Sequence, residues 1–553
     1  MPGGLMQIVA KGAQDQLVNG NPSFTHFRSV YKRHTDFAME HFRLYFKTST
    51  LSIPPSGSLT LRTKVDRNAQ LLHDCYLSFT LPSIWSPTYT SGANTTGYEF
   101  QWIRNIGYNM INYVAVLVNG QEIVRHSGEY LKLYAALNFN ANKKAILDEL
   151  VGNVKPIYDP ANAWDRANQY PHAVSTSTKN AEPSISGRVL TIPFHFWFCE
   201  DVGSSLPLIA LQHSEVEFVV ELKNIYQLFT TLGVDPANAA AFRKRVAPDS
   251  SNPLYQITRF LSPPTYVVSG NSLPTNPTLT LWDSRAFIEA NYIFLNDTEL
   301  IHIAKTDHSF IIKQIDLVST FGQHGPSNDL ELGLRNLCTR VAWVCQRSDR
   351  ALENDVDNYT NWENSYLPPL GGNNYNTSGT ELNSNVSQRD ILLESTIILD
   401  GKERFGAKQT EFFSLLQNYR HQDGRTVVDL PGIYTYSFAL DHNTKQPSGH
   451  LNGSMFNKTI LRNTYIEPPP ATTPGVVRVC VLKETANSPN PTIVNSLATD
   501  RFGKLLYTPN EIVNIIRKGD GQTFLYTYNV RAYIESYNFL RVLGGVANVV
   551  FSS

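Results

Sequence analysis

Histidines and cysteines are the first residues to weigh for chemistry, because a metal centre or a nucleophile needs them close together. His302 and His308 lie six apart, and an even offset along one strand would turn both imidazoles to the same face. A satisfied or exposed strand histidine fits that spacing equally well. His195 stands alone between Phe194 and Phe196, so the clustered histidines of a cupin-type centre are missing. Cys338 and Cys345 are seven apart, which matches no zinc-knuckle spacing, and no His-x-His pair occurs. Glu200 and Asp201 are neighbours in a polar turn, where solvated carboxylates make poor acid/base partners. There is no G-x-G-x-x-G, no Walker lysine loop and no G-x-S-x-G. "GPSND" at 325–329 lacks the closing glycine, and "KGDG" at 518–521 reads as a turn before a strand. The expectation is a protein that is not an enzyme, with no catalytic, cofactor-binding or metal-binding residue and no cofactor.

The remaining polar features have structural readings. The five cysteines, Cys75, Cys199, Cys338, Cys345 and Cys480, are scattered through strand-like segments, as free buried thiols of a reducing compartment would be. The run "FRSVYKRH" sets Arg28, Lys32, Arg33 and His34 among Phe27 and Tyr31, an arrangement able to touch phosphates. A formal net charge of −1 gives no broad basic surface, so a solvated or salt-bridged patch is expected and no direct nucleic-acid contact. The opening "MPGGLMQIVAKGAQDQLVNG" has no basic n-region and only a short apolar run, so no secretory leader is expected in it. Sequons at Asn94, Asn296, Asn358, Asn376, Asn385, Asn452 and Asn457 then have no evident route to glycosylation.

The elements that would carry such residues are strands. Over 553 residues, 27 Tyr, 28 Phe, 31 Pro and 33 Gly favour strands and turns, and 42% apolar against 17% charged residues is ordinary globular material. No window approaches the roughly 18 consecutive apolar residues of a membrane span. In "IPFHFWF", Ile192, Phe194, Phe196 and Phe198 share one face of a strand; in "YTYSFAL", Tyr434, Tyr436, Phe438 and Leu440 do. "SEVEFVVEL" puts Val216, Phe218, Val220 and Leu222 inward against Glu215, Glu217 and Glu221. Asn119-Gly120 and Asp400-Gly401 each sit between alternating runs, a strong hairpin signal. Each is followed by a short helical pattern, Leu131, Tyr134 and Ala135 in one case, Phe412, Leu415 and Leu416 in the other. Hairpin, helix, aromatic strand, polar turn and strand recur in the same order, which predicts two related eight-strand antiparallel sandwiches in tandem. A short helix, "KNIYQLFTTLG", and a Pro- and Asn-rich stretch at 235–277 would connect them, while 150–188 and 348–390 are long polar loops.

Specific segments also carry a resemblance. "GAQDQLVNGNP", "FRSVYKRHTDFAME", "IPFHFWFCEDVGSSLPLIALQHSEV", "GIYTYSFALDHNTKQPSGHLNGS" and "YNFLRVLGGVANVVFSS" resemble the major capsid proteins of nucleocytoplasmic large DNA viruses, from residue 12 to 553. The resemblance implies an all-β double jelly roll with a few short helices and long surface loops. It divides the chain into an N-terminal arm (1–25), a first jelly roll (26–224), a connector helix and insertion (225–284) and a second jelly roll (285–553). It further implies a homotrimeric, pseudo-hexagonal capsomer that tiles the icosahedral shell beside neighbouring capsomers. Its other partners would be minor capsid proteins, with the arm near an internal membrane. Synthesis and assembly would take place in the host cytoplasm. The segments 235–277 and 348–390 are longer than compact members need, and "HLNGSMFN" departs mildly from the usual strand. A minor or vertex capsid component, or a non-catalytic carbohydrate-binding β-sandwich, is the alternative.

Overall fold

Val216, Phe218, Val220 and Leu222 are buried while Glu217 and Glu221 are half-buried, the period-2 signature of a sheet with one covered face. In the computed structural model such segments build most of the fold. It describes residues 2–48, 50–91, 94–238, 242–267, 270–272, 281–363, 365, 388–442, 446–469, 476–481, 493–495, 512–516 and 524–551. The first eight principal strands are β1 (Phe37–Tyr45), β2 (Leu59–Lys64), β3 (Leu71–Leu81), β4 (Ile111–Val118), β5 (Gln121–Ser127), β6 (Arg188–Pro193), β7 (Val216–Leu222) and β8 (Phe287–Leu295). Helices α1 (Gly128–Asn138) and α2 (Ala141–Val151) follow β5, and α3 (Asp297–Lys305) follows β8. The second set is β9 (His308–Gln323), β10 (Asn328–Glu331), β11 (Leu337–Arg347), β12 (Leu392–Leu399), β13 (Lys402–Glu403), β14 (Ile433–Ser437), β15 (Thr459–Tyr465) and β16 (Tyr528–Leu543). A short β17 (Val546–Val549) then pairs back onto β16.

The sheet orders are β1-β8-β3-β6 over β2-β7-β4-β5, and β9-β16-β11-β14 over β10-β15-β12-β13. Within each set the sequence is first, eighth, third, sixth over second, seventh, fourth, fifth. Each set is an eight-stranded jelly roll, so the chain is all-β and a double jelly roll. Both predicted hairpin turns carry positive φ at both residues, 51° and 79° at Asn119-Gly120 and 47° and 81° at Asp400-Gly401. Those are the angles a type I′ turn requires.

The structure moves several expected elements. Phe287–Leu295, expected to open the second jelly roll, is a central strand of the first. It runs against β1 from Phe37↔Leu295 to Tyr45↔Phe287, and its other edge pairs with β3. Ile288, Ala290 and Tyr292 fill the first core. Alternation says which residues are covered but not which sheet covers them. "IPFHFWF" is a strand only to Pro193; Trp197–Glu200 is a helical turn. Ile192, Phe194, Phe196 and Phe198 are nonetheless all buried. In the matching strand Tyr434 is buried, but Leu440 lies beyond Ser437 and is 75% exposed. The expected connector helix is a 3-10 turn, Ile225–Gln227, followed by an extended Phe229–Leu232 that pairs with Gln101–Trp102. There Phe229 stacks on Phe100, with ring centroids 4.6 Å apart, so this insertion caps the first core.

Residues 2–36 are exposed almost throughout and join no sheet, so the first strand begins later than residue 26. Cys75, Cys338 and Cys345 are buried free thiols and Cys199 is half-buried. The side chain of Cys480, most of the 348–390 loop, the "KGDG" turn and the sequons at Asn376 and Asn385 lie outside the described residues. Among the described residues no helix is long and apolar enough to cross a membrane.

Tyr292 measures how far the first core depends on β8. It is fully buried, its hydroxyl donates to Asp66 O at 2.7 Å, and Phe42 meets its ring edge-on at 5.4 Å. Tyr292→Ala should cost about 3–5 kcal/mol of unfolding free energy in denaturant titrations, as large-to-small aromatic changes do. A loss under about 1 kcal/mol would mean that this strand is not central.

Candidate functional site at the seam between the two jelly rolls

The positions singled out for chemistry do not converge on a reaction centre. His302 lies in α3 and His308 opens β9, so they do not share a strand face; His308 Nε2 lies 2.8 Å from Ile303 O. Cys338 and Cys345 both enter the second core, an irregularity of register between Cys338 and Arg340 bringing them to one face. Burial pushes both thiols up. Arg28, Lys32, Arg33 and His34 are exposed on the arm. Among the described residues no three His, Cys, Asp or Glu side chains are grouped to hold a metal ion.

What does converge lies around α1. Ser127 caps this helix by accepting from Tyr130 N at 3.1 Å, and Leu131 and Ala135 face the first core. That leaves Tyr130, Leu133, Ala136 and Leu137 to pack on the outer face of the second jelly roll, against Ala342, Val344, Ile433 and Tyr533. Four polar clusters pin the contact. Glu129 takes a two-pronged ion pair from Arg531 (2.7 and 2.8 Å) and accepts from Tyr359 Oη at 2.6 Å and from Tyr533 Oη. Arg340 pairs with Glu535, the two side chains only 1% and 3% exposed. Tyr130 Oη donates to that carboxylate at 3.1 Å, and Arg340 Nη1 donates to Asn138 Oδ1 at 3.1 Å. Lys132 pairs with Asp357, which also accepts from Asn105 (2.6 Å) and Asn109 (2.7 Å). Glu200 accepts from Tyr134 Oη at 2.7 Å and pairs with Lys313 at 3.2 Å. The turn glutamate expected to be solvated therefore bridges the two jelly rolls.

Backbone contact is equally close at the end of α1. Gly424 N donates to Leu137 O at 2.9 Å, and a Cβ on Gly424 would sit 2.0 Å from Ala136 O. His195 closes the seam on the first side, stacked on Tyr134 with Tyr108 Oη 3.0 Å from its Nε2. Burial, then the nearby His126 and Lys143, pull its pKa down to about 3, and burial does the same to His126. For Glu129 burial pushes up, but Arg531, Lys132 and the hydrogen bonds outweigh it and hold the carboxyl at about 2. This is an arrangement for holding two units in one register.

The chain has known relatives in sequence and in fold. Residues 25–253 match the family described as "Major capsid protein N-terminus", and residues 299–494 match "Large eukaryotic DNA virus major capsid protein". The chain belongs to the major capsid protein family of large eukaryotic DNA viruses. It is therefore a structural protein of the virion capsid. The major capsid protein of Paramecium bursaria Chlorella virus 1 is 24% identical over 573 residues, covering 100% of both chains. Probable capsid protein 4 of Acanthamoeba polyphaga mimivirus is 22% identical over 547 residues, 87% of this chain and 98% of that one. A chain of the PBCV-1 virus capsid superposes with a TM-score of 0.60 at 18% identity, covering 96% of this chain and 100% of that one. For the Faustovirus major capsid protein the TM-score is 0.57 at 11% identity, covering 93% and 92%.

In this capsid protein the seam residues Glu129, Lys132, Arg340, Asp357, Arg531 and Glu535 were not singled out from sequence. Their one visible signal is charge among apolar neighbours: Arg340, Arg531 and Glu535 each stand beside Val, Ala, Tyr or Ile in their strands. Two measurements probe them. Arg340→Ala strands a buried carboxylate and should cost about 3–5 kcal/mol, whereas Arg340→Met with Glu535→Leu should recover most of that in the same denaturant titration. Glu129 contributes stability that is present above about pH 4.5 and lost as pH falls towards 2. His126 and His195 act in the same direction, because below about pH 6.5 protons go to the unfolded chain first. Glu129→Gln should flatten the drop in unfolding free energy between pH 4.5 and 2 by about 3 kcal/mol; an unchanged slope would refute the assignment.

Proposed function

We propose that three copies of this capsid protein form one pseudo-hexagonal capsomer whose six jelly rolls tile the icosahedral shell. The observation that carries the reading is the same strand order occurring twice in one chain, with the two units side by side. A subunit with two similar units, one spanning 37–222 together with 287–295 and the other 308–543, presents six similar edges from three chains. That suits a tile that must meet neighbours on every side. The arm supports an assembled state. Leu5, Ile8, Leu17, Phe24, Phe27 and Tyr31 are exposed along it, and apolar surface on that scale is usually covered by a partner. In this reading the arm lies at the inner base of the shell, beside minor capsid proteins and near the internal membrane. Assembly takes place in the host cytoplasm.

Negative-stain electron microscopy of the purified protein tests the reading. Particles of three chains with a pseudo-hexagonal outline are expected; monomers or small dimers would overturn it. Removal of residues 1–25 should leave the trimer intact and weaken its assembly into shells. Loss of trimerisation would mean that the arm serves the capsomer itself.

A further inference from the structure

We infer that the 412–421 helix of one chain docks on the outer face of sheet β1-β8-β3-β6 in a second copy, repeating the contact that α1 makes inside each chain. The inference rests on the capsomer reading and names the surfaces that would join its subunits.

A π-helical turn, Phe412–Leu416, runs into a helix, Gln417–His421, after the β12-β13 hairpin, where α1 follows the β4-β5 hairpin. Leu131 of α1 and Phe413 are both fully buried in their own cores. With those two anchors matched, Glu411, Phe412, Leu415 and Tyr419 stand where Glu129, Tyr130, Leu133 and Leu137 stand. One residue more separates hairpin from helix in the second unit. The apolar set expected from sequence is therefore turned outward: Leu415 and Leu416 are exposed, and Phe413, Gln417 and Asn418 are buried instead. Asn418 is held inside by donating to Thr426 Oγ1 (2.6 Å) and Ser414 O (2.7 Å) and by accepting from Thr435 Oγ1 (3.0 Å). In the first unit these helix positions are covered by the second. In the second unit Glu411, Leu415 and Tyr419 meet solvent, with Tyr419 87% exposed, while Phe412 is half-buried against its own core. Beside them runs a shallow groove lined by Phe412, Leu416, Glu394 and Lys408.

The receiving face exists, buried at Asn291 and Ile293 in its centre and exposed along β1 and β6. Sheet β1-β8-β3-β6 has the strand order of the sheet that takes α1. Its outward positions include Met39, Tyr45 and Val189, all exposed, and Phe287, with Arg43 lying 4.8 Å over the Phe287 ring. On the second unit's face, Arg531 receives Glu129. On the first unit's face, the exposed Arg43, on β1 and in register with Glu289 of β8, offers a positive charge to Glu411. Inside the chain the relation runs from the helix of one unit to the sheet of the next. Applied again, it takes the second unit's helix to the first unit's sheet in another copy. Such a head-to-tail contact closes into a ring when its rotation allows.

Two experiments on the full chain decide this. Leu415→Asp and Tyr419→Asp, both at exposed positions, should weaken self-association at least about tenfold by light scattering, with an unchanged far-ultraviolet spectrum. A photo-crosslinking residue at Tyr419, in a mixture of isotopically light and heavy chains, should capture peptides holding residues 37–45 or 287–295 from the other copy. A wild type that trimerises while both Asp variants also trimerise, or a crosslink to a different segment, overturns this surface and leaves the capsomer reading standing. A wild type that never trimerises overturns both. Should an Asp variant misfold, the crosslink alone decides.

Discussion

Arg340 of β11 and Glu535 of β16 pair where almost no water reaches, and α1 docks onto that pair through Tyr130 and Asn138. Taking two charges out of water costs several kcal/mol for each ion, so the pair adds little net stability over a well-packed apolar contact. It adds discrimination. A shift of α1 along the sheet would part Lys132 from Asp357 and Glu129 from Arg531, and would take Tyr130 and Asn138 away from the Arg340–Glu535 pair. Apolar contacts among Leu133, Ala136, Ala342 and Ile433 supply much of the attraction without choosing a register. The ionic groups choose it, and Gly424, with no room for a Cβ, allows the helix end to approach.

The join is reinforced from the other direction. β9 and β16 are each sixteen residues long, and their far ends leave the second core for the first, where Ile312, Leu540 and Val542 are buried. Gly545 O accepts from His213 N at 3.1 Å, and Gln314 Nε2 donates to Ile123 O at 3.2 Å. For a capsid tile this has a mechanical consequence. Load on one unit is passed to the other through paired backbone and packed side chains, in addition to the single covalent link at α3.

Duplication did not leave the two units interchangeable. Their strand orders agree, yet α1 has a neighbour within the chain and the 412–421 helix presents its outer positions to solvent. The difference is written in modest changes, such as Ala136 at a packed position against Asn418 drawn inside by Thr426 and Thr435. A unit whose helix is already covered and a unit whose helix is exposed give a chain direction, which a tile built from repeated units needs.

Local physics was legible in the residues. Asn-Gly and Asp-Gly turns, the alternation of Val216 to Leu222, and the burial of Ile192, Phe194, Phe196 and Phe198 all follow from backbone sterics and from which faces avoid water. So did the repeat itself, since hairpin, helix and aromatic strand recur in order. Tertiary structure alone assigned Phe287–Leu295 to the first unit. Its partners Phe37–Tyr45 lie about 250 residues away, and alternation carries no address. Tertiary structure likewise turned Glu200 from a turn carboxylate into a bridge, turned Leu415 outward, and brought Glu129 to Arg531. A sequence records how each residue partitions between water and interior. Which distant surface provides that interior is decided only when the two jelly rolls meet.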